Sequence, residues 1–587
     1  MSYYDKSSLV LIPSGTKTSK VFSQKPTNGD GDFDFTRSTA ATRVNADGNI
    51  EKETGNLLPQ SNSFSTTWTN ANTTETSGQS GYDGTNDAWL LTGSGAFPRL
   101  IQNVSVSGVN TISVYAKANT NNYLVINMLL NGVGETIIFD ISSGVQTSNI
   151  SEQVSSKLTD VGSGWWRVES TINGIIGSLA LGLSNDGTIS GWINFTSGSL
   201  YIQDAQLEQG LVARDYIETT TTALYGGITD NVPRLDYTDS SCPALLLEPQ
   251  RTNILPQSEY LGSLTPERVT ITSNADTSPE GVVNATSFVE DSTTGRHRTS
   301  FYESVTSGTT YTFSMFAKIK SGTRLLCINN LATIGARAYF DLVNGDVESI
   351  DGGSASIEDY GNGWYRCSVT ATSSITGNAT TYFGLEDGTA DNGYTGDGTS
   401  GHYWYGLQLE EGSYATSYIP TYGTSVTRSN DETDVTGLQS KGILSSTEGT
   451  MFFHITDIQG TAVVFNAQTA NNLSYALRFV IRDIGFTIYQ RVNNVQTTIR
   501  ANNSLALSEW KIAMSWNGTN LITSLNGTSY IDTIDASISS QLDKIARVNP
   551  QAISVTTNQI LVFPTQLTEA DLEILTGTYY ESYSAMA

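Results

Sequence analysis

Five short strings occur twice in this 587-residue chain, in the same order. NLLPQS at Asn56 returns as NILPQS at Asn253, ISVYAKA at Ile112 as FSMFAKI at Phe313, and FDIS at Phe139 as FDLV at Phe340. GWWRV at Gly164 returns as GWYRC at Gly363, and QLEQG at Gln206 as QLEEG at Gln408. The offsets are 197, 201, 201, 199 and 202 residues. Constant order with drifting spacing marks a duplicated domain rather than a short solenoid repeat. One fold is therefore built twice, over 56–218 and 253–429. Whatever that fold requires should be written into the shared strings.

Each copy reads as strands. Tyr311, Phe313, Met315 and Ala317 alternate with Thr312, Ser314, Phe316 and Lys318, and Tyr365, Cys367, Val369 and Ala371 alternate with Trp364, Arg366, Ser368 and Thr370. A period of two places one set in a core and the other on the opposite face of a sheet. The chain holds 54 glycines, 10% aromatic and only 15% charged residues, which suits short strands joined by many turns. The expected fold is all-β, each copy being two antiparallel sheets packed face to face as a jelly-roll-like sandwich.

A different module runs from 430 to 587. GTMFFHITDI, EWKIAMSWNGTNLITSLNG and QILVFP read as strands, and Asn-Gly pairs at Asn517 and Asn526 favour tight hairpins. LTEADLEILTG reads as a helix capped by Thr568, with Asp571 at its third position and Gly577 at its end. Segments 1–55 and 219–252 each stop at the same point, just before the shared NLLPQS or NILPQS. Long structureless connections are rare in compact proteins, so each segment is predicted to add strands to the sandwich it precedes.

With 31 basic and 57 acidic residues the net charge is -26, a surface that repels nucleic acid. Cys242, Cys327 and Cys367 form no even framework, which points to a fold independent of disulfides and made in a reducing cytoplasm. Cys367, among alternating apolar residues, is expected to be a small buried hydrophobe. Neither a signal peptide nor an apolar run long enough to span a bilayer is visible, so no membrane insertion is expected.

His297, His402 and His454 fit no nucleophilic or metal-ligand pattern, and no catalytic residue is assigned. Glu208 and Glu410 stand at equivalent places and read as a requirement of the fold, paired with Arg167 and Arg366. Strand phase turns Trp165, Arg167, Trp364 and Arg366 away from the core, together with Tyr115 and Phe316. Exposed rings of this kind stack on sugars while polar neighbours take the hydroxyls; alternatively they pack against a connector, a neighbouring domain or another subunit. Oxygen donors among glycines could wrap calcium at Asp83 and Asp87, and at Asp391 and Asp397, although ordinary turns demand the same residues. No other cofactor is implied.

Four stretches add a resemblance: SLVLIPSG, FTRSTAATRVNADGNIE, PRLDYTDSSCPALLLEPQRTN and LQLEEGSYATSYIPTYGTSVTR. The chain resembles a family of tailed-bacteriophage virion proteins, notably of phages infecting Bacteroidetes, with carbohydrate-binding-like jelly rolls. Its last module is similar to concanavalin A-like (laminin-G type) domains, through QILVFPTQLTEADLEILTG. The resemblance implies a non-enzymatic fibre, tail or head component on the particle exterior. Its implied partners are other virion proteins and further copies of itself, as in trimers, with host-surface glycan as a ligand. A purely architectural decoration protein and a glycan depolymerase are the alternatives. One departure matters: the first copy has DYIETTTTA where the second has SYIPTYGTSVTR, and an arginine follows only at Arg234.

Overall fold

Alternating apolar residues pair into antiparallel ladders throughout. The computed structural model describes residues 2–330, 334–388, 393–459, 463–470, 474–482, 485–505, 507–547 and 554–577. In the first sandwich one sheet runs in the order Gln153–Gly162, Trp165–Asn173, Val109–Ala118, Ser197–Gln209, Ala88–Ser94, Thr73–Gln79. The second sandwich repeats that order with Ser354–Asp359, Tyr365–Thr372, Thr310–Ser321, Gly401–Glu411, Val283–Glu290, Val269–Thr277. The predicted phase holds: Tyr311, Phe313, Met315, Ala317, Cys367, Val369 and Ala371 all lie in one buried core. The described structure is all-β apart from short helices, the main one being Glu569–Gly577, whose Asp571 amide donates to Thr568 Oγ1 at 3.2 Å. No helix among the described residues is long and apolar enough to cross a membrane.

The shared strings clasp the two ends of each sandwich together. The Asn56 amide donates to the carbonyls of Ala205 (3.1 Å) and Ile217 (2.9 Å), and its oxygen accepts from the amides of Leu58 and Leu207. Asn253 does the same with Leu407, Ile419, Leu255 and Leu409. The Gln206 amide donates to Glu208 at 2.7 Å and its oxygen accepts from the Ile217 amide; Gln408 repeats this with Glu410 and Ile419. Finally the Ser61 and Tyr216 hydroxyls meet at 2.5 Å, as Ser258 and Tyr418 do at 2.6 Å. Fully buried side-chain amides persist where every donor and acceptor is satisfied, and that explains why these residues recur together.

The third sandwich is discontinuous, and here the prediction for the two connecting segments is corrected. Leu9–Leu11 pairs with Ser554–Phe563 (Leu9 opposite Val562), and Ala244–Leu247 pairs with the same strand (Leu246 opposite Thr556). Phe33–Thr36 pairs with Glu432–Thr436 in the facing sheet. Most strands of the leading segment and the connector therefore complete the C-terminal sandwich, not the sandwiches they precede. The reason is burial on both faces. Leu9 and Leu11 enter the main core while Val10 lies under the terminal helix beside Leu561 and Leu572, two apolar surfaces that pairing with the hub strand Ser554–Phe563 supplies. Each jelly roll is then a loop-out from this hub. One leaves and returns through the ladder Thr54–Asn56 with Leu224–Gly226, the other through Arg251–Asn253 with Val426–Arg428.

Candidate functional site

Where the chain crosses between hub and sandwiches, five charged side chains are packed out of water. Arg37 Nη1 donates to Asp431 at 3.1 Å, and Arg234 bridges Asp431 and Glu248. Arg428 reaches Glu248 at 2.6 Å and the Ser417 hydroxyl at 2.7 Å. All five side chains are at most 3% exposed. Burial alone would raise the Glu248 carboxyl, but Arg428 and Arg234 hold it well below the usual carboxylate range. Sequence reading missed this network. Its signal was the arginine closing FTR in the leading segment, VPR in the connector and SVTR at the exit of the second sandwich; Arg234 is thus the connector's contribution to the site that Arg428 also serves.

Above this network, over the outer sheet face of the second sandwich, opens a cleft of about 590 Å³. The leading segment (Thr42–Val44), the connector (Asp236–Asp239), the strand Ser354–Asp359 and hub residue Asp457 form its walls. Phe316 and Arg366 lie at its base. The Arg366 Nη2 donates to Ser314 at 3.1 Å and the guanidinium sits 5.4 Å from the Phe316 ring, while its buried Nε has no partner. The cleft is within the size range of small-ligand sites, and its rim acids, Glu358 and Asp359, are exposed acceptors suited to hydroxyl donors.

The expected exposure of the outer-face rings is corrected. Trp364 is 2% exposed and Phe316 is 1% exposed. They form a buried cluster with Ile50, Ala285, Tyr405 and Tyr418, and Trp364 Nε1 donates to the Thr277 carbonyl at 3.1 Å. In the first sandwich Trp165 is 1% exposed, and half-buried Tyr115 lies flat beneath Tyr82 with centroids 3.7 Å apart. Phase was right, and of the two readings it is packing, not exposure to a sugar, that the second copy's rings follow. Ile50 of the leading segment roofs the second copy and Tyr82 roofs the first. The expected pairing of the equivalent glutamates is also corrected. Glu410 lies 3.7 Å from Arg251, and Arg167 lies 3.9 Å from Glu169 and 5.6 Å from the Tyr115 ring. Arg366 is taken by Ser314 as above.

The candidate calcium residues serve turns. Asp83 accepts from the Thr85 amide and hydroxyl at 3.1 and 2.7 Å, and Asp87 accepts from Gln203 at 2.8 Å. Asp397 accepts from Ser400 and Thr399, which hold its carboxyl well below the usual range. Asp391 lies outside the described residues. Among the described residues no group of three or more His, Cys, Asp or Glu is placed to hold a metal ion. The histidines have structural partners: His402 Nε2 lies 2.8 Å from the Arg324 carbonyl, and burial pushes its pKa down to about 4. His454 lies 2.6 Å from Glu509 and His297 lies 3.3 Å from Asp291.

Fold and site together define an all-β protein of two equivalent sandwiches mounted on a third. No family model and no curated protein matches the chain. Among solved structures it is similar to the binding domain of botulinum neurotoxin DC in complex with rat synaptotagmin II, with 14% identity and a TM-score of 0.21. A structure described as "Cell entry of botulinum neurotoxin type C is dependent upon interaction with two ganglioside molecules" aligns with 14% identity and a TM-score of 0.20. Each likeness covers 25% of this chain and 40% of the other. At those scores neither carries an argument about function.

Proposed function

We propose that this chain is a non-enzymatic structural component of a tailed-phage particle, a rigid unit that holds two jelly rolls at fixed positions on a hub. The observation that carries this reading is the buried network of Arg37, Arg234, Arg428, Glu248 and Asp431. It ties leading segment, connector, sandwich exit and hub into one body. Removing Asp431 leaves Arg37 buried without its ion-pair partner, and removing Glu248 does the same to Arg428, so the modules resist moving apart. The virion setting rests on the sequence resemblance, which also implies other virion proteins and further copies of this chain as partners. Mass spectrometry and antibody labelling of purified particles test it. The expected result is stoichiometric labelling of the exterior; absence from washed particles would overturn it.

Glycan recognition is a second reading, favoured by the junction cleft. Its exposed acids, Glu358 and Asp359, supply acceptors for sugar hydroxyls. A glycan array with the full chain should give binding that Glu358→Gln with Asp359→Asn removes without changing the melting temperature. Release of reducing ends from host polysaccharide would instead place the chain among depolymerases.

A further inference from the structure

The duplication supplies an internal comparison for one further surface. On the second sandwich the Lys52 ammonium is seated 2.6 Å from Glu259, 2.5 Å from Glu280 and 2.6 Å from the Tyr422 hydroxyl. This lysine comes from outside the sandwich, from the leading segment. PEGVVNA at 279–285 corresponds to YDGTNDA at 82–88, a register fixed by Thr286 facing Trp404 as Trp89 faces Ile202. Glu280 is thereby equivalent to Asp83 and Asn284 to Asp87, while the shared LPQS aligns Glu259 with Asn62. Gly406 and Asp204 correspond too, both in the left-handed region at φ 63° and 53°.

On the first sandwich the same position is an open pocket of about 450 Å³. Five carboxylates line it, those of Asp83, Asp87, Asp204, Asp215 and Glu218. No lysine or arginine lines it, and none of the five has an ion pair among the described residues. Neutral amides serve where the second copy has a cation: Gln203 donates to Asp87 at 2.8 Å and Asn62 to Asp87 at 3.3 Å. The stacked Tyr82 and Tyr115 add aromatic rings beside the acids. Carboxylates with aromatic rings are the chemistry that recognises an ammonium or guanidinium group.

We propose that this pocket docks a lysine-bearing extended segment of a partner protein, against Asp83, the counterpart of Lys52's partner Glu280, and four carboxylates particular to the first copy. Lys52 of another copy cannot be the occupant, because it is already buried in its own chain. A neutral sugar fits less well, since Tyr82 covers the flat face of Tyr115. The inference does not depend on the virion reading.

Titration calorimetry of the full chain with acetyl-Gly-Ile-Lys-Thr-Gly-amide tests it. Saturable binding at low ionic strength is expected, weakening as salt is raised. It should fall at least about tenfold when the lysine is Nζ-acetylated or in the variant Asp204→Asn with Glu218→Gln. Should that variant fold poorly, Asp215→Asn with Glu218→Gln alters only exposed carboxylates and should weaken binding in the same direction. Equal binding of the acetylated peptide, no binding of either, or calcium alone binding and being lost in the same variants would each overturn the proposal.

Discussion

Arg37 and Asp431 lie 394 residues apart and form a 3.1 Å ion pair with both side chains fully buried. Asp431 also accepts from Arg234 and from the Glu248 amide, so a single carboxylate holds the leading segment, the connector and the start of the hub. Asp431→Asn keeps the shape but leaves two guanidiniums short of their counter-charge. The expected cost is about 3–5 kcal/mol, read as a lowered urea midpoint. A change within error would show that the network does not lock the modules.

The paired asparagines are expected to behave alike. Asn56→Ala and Asn253→Ala each remove a buried amide that closes a sandwich through four hydrogen bonds. Several backbone groups are left unsatisfied, at about 1–3 kcal/mol each where water cannot reach them. Hydrogen exchange should localise the loss to 56–218 in one variant and to 253–429 in the other.

Trp364→Ala should destabilise rather than disable a surface. Emptying a buried indole site costs about 3–5 kcal/mol, and the Thr277 carbonyl loses its donor. The native indole should resist acrylamide quenching; ready quenching of Trp364 in the folded chain would contradict its burial.

The Glu208 carboxyl has an ordinary value of 4.5, which burial pushes up to about 7 against the opposing hydrogen bonds from Gln206 and the Arg214 amide. A raised folded value means folding favours the protonated form. The stability from this group is full below about pH 4.5 and is lost as pH rises through about 7. Glu208→Gln has no such loss, so its stability relative to the parent chain should increase between about pH 4.5 and 8. Urea unfolding at several pH values measures this, and a pH-independent difference would contradict it.

Fragment 430–587 should not fold alone. It lacks Leu9–Leu11, Phe33–Thr36 and Ala244–Leu247, which cover its strand edges and fill its core. Exposed strand edges promote aggregation. Light scattering should detect association in the fragment and not in the full chain; a monomeric fragment with dispersed amide signals would count against the discontinuous hub.

Much of the architecture was legible in the chain. The duplication, the strand phase through Tyr311–Ala317, the buried Cys367 and the capped terminal helix all follow from local pattern, because side chains alternate every second residue and caps are short-range. The candidate site was legible only in part. Phe316 and Arg366 do lie together on the outer face of one sheet, yet period two says which residues share a face and nothing about what lies above it.

The sequence by itself therefore determined that two equivalent sandwiches form and which strings close them, since each clasp uses groups inside one repeat. Only the tertiary structure decided that Leu9 pairs with Val562, that Ile50 roofs Phe316, and that Lys52 sits between Glu259 and Glu280. Those contacts join residues more than 200 positions apart. Their partners are chosen by burial and charge neutralisation in the assembled chain, which no local periodicity records.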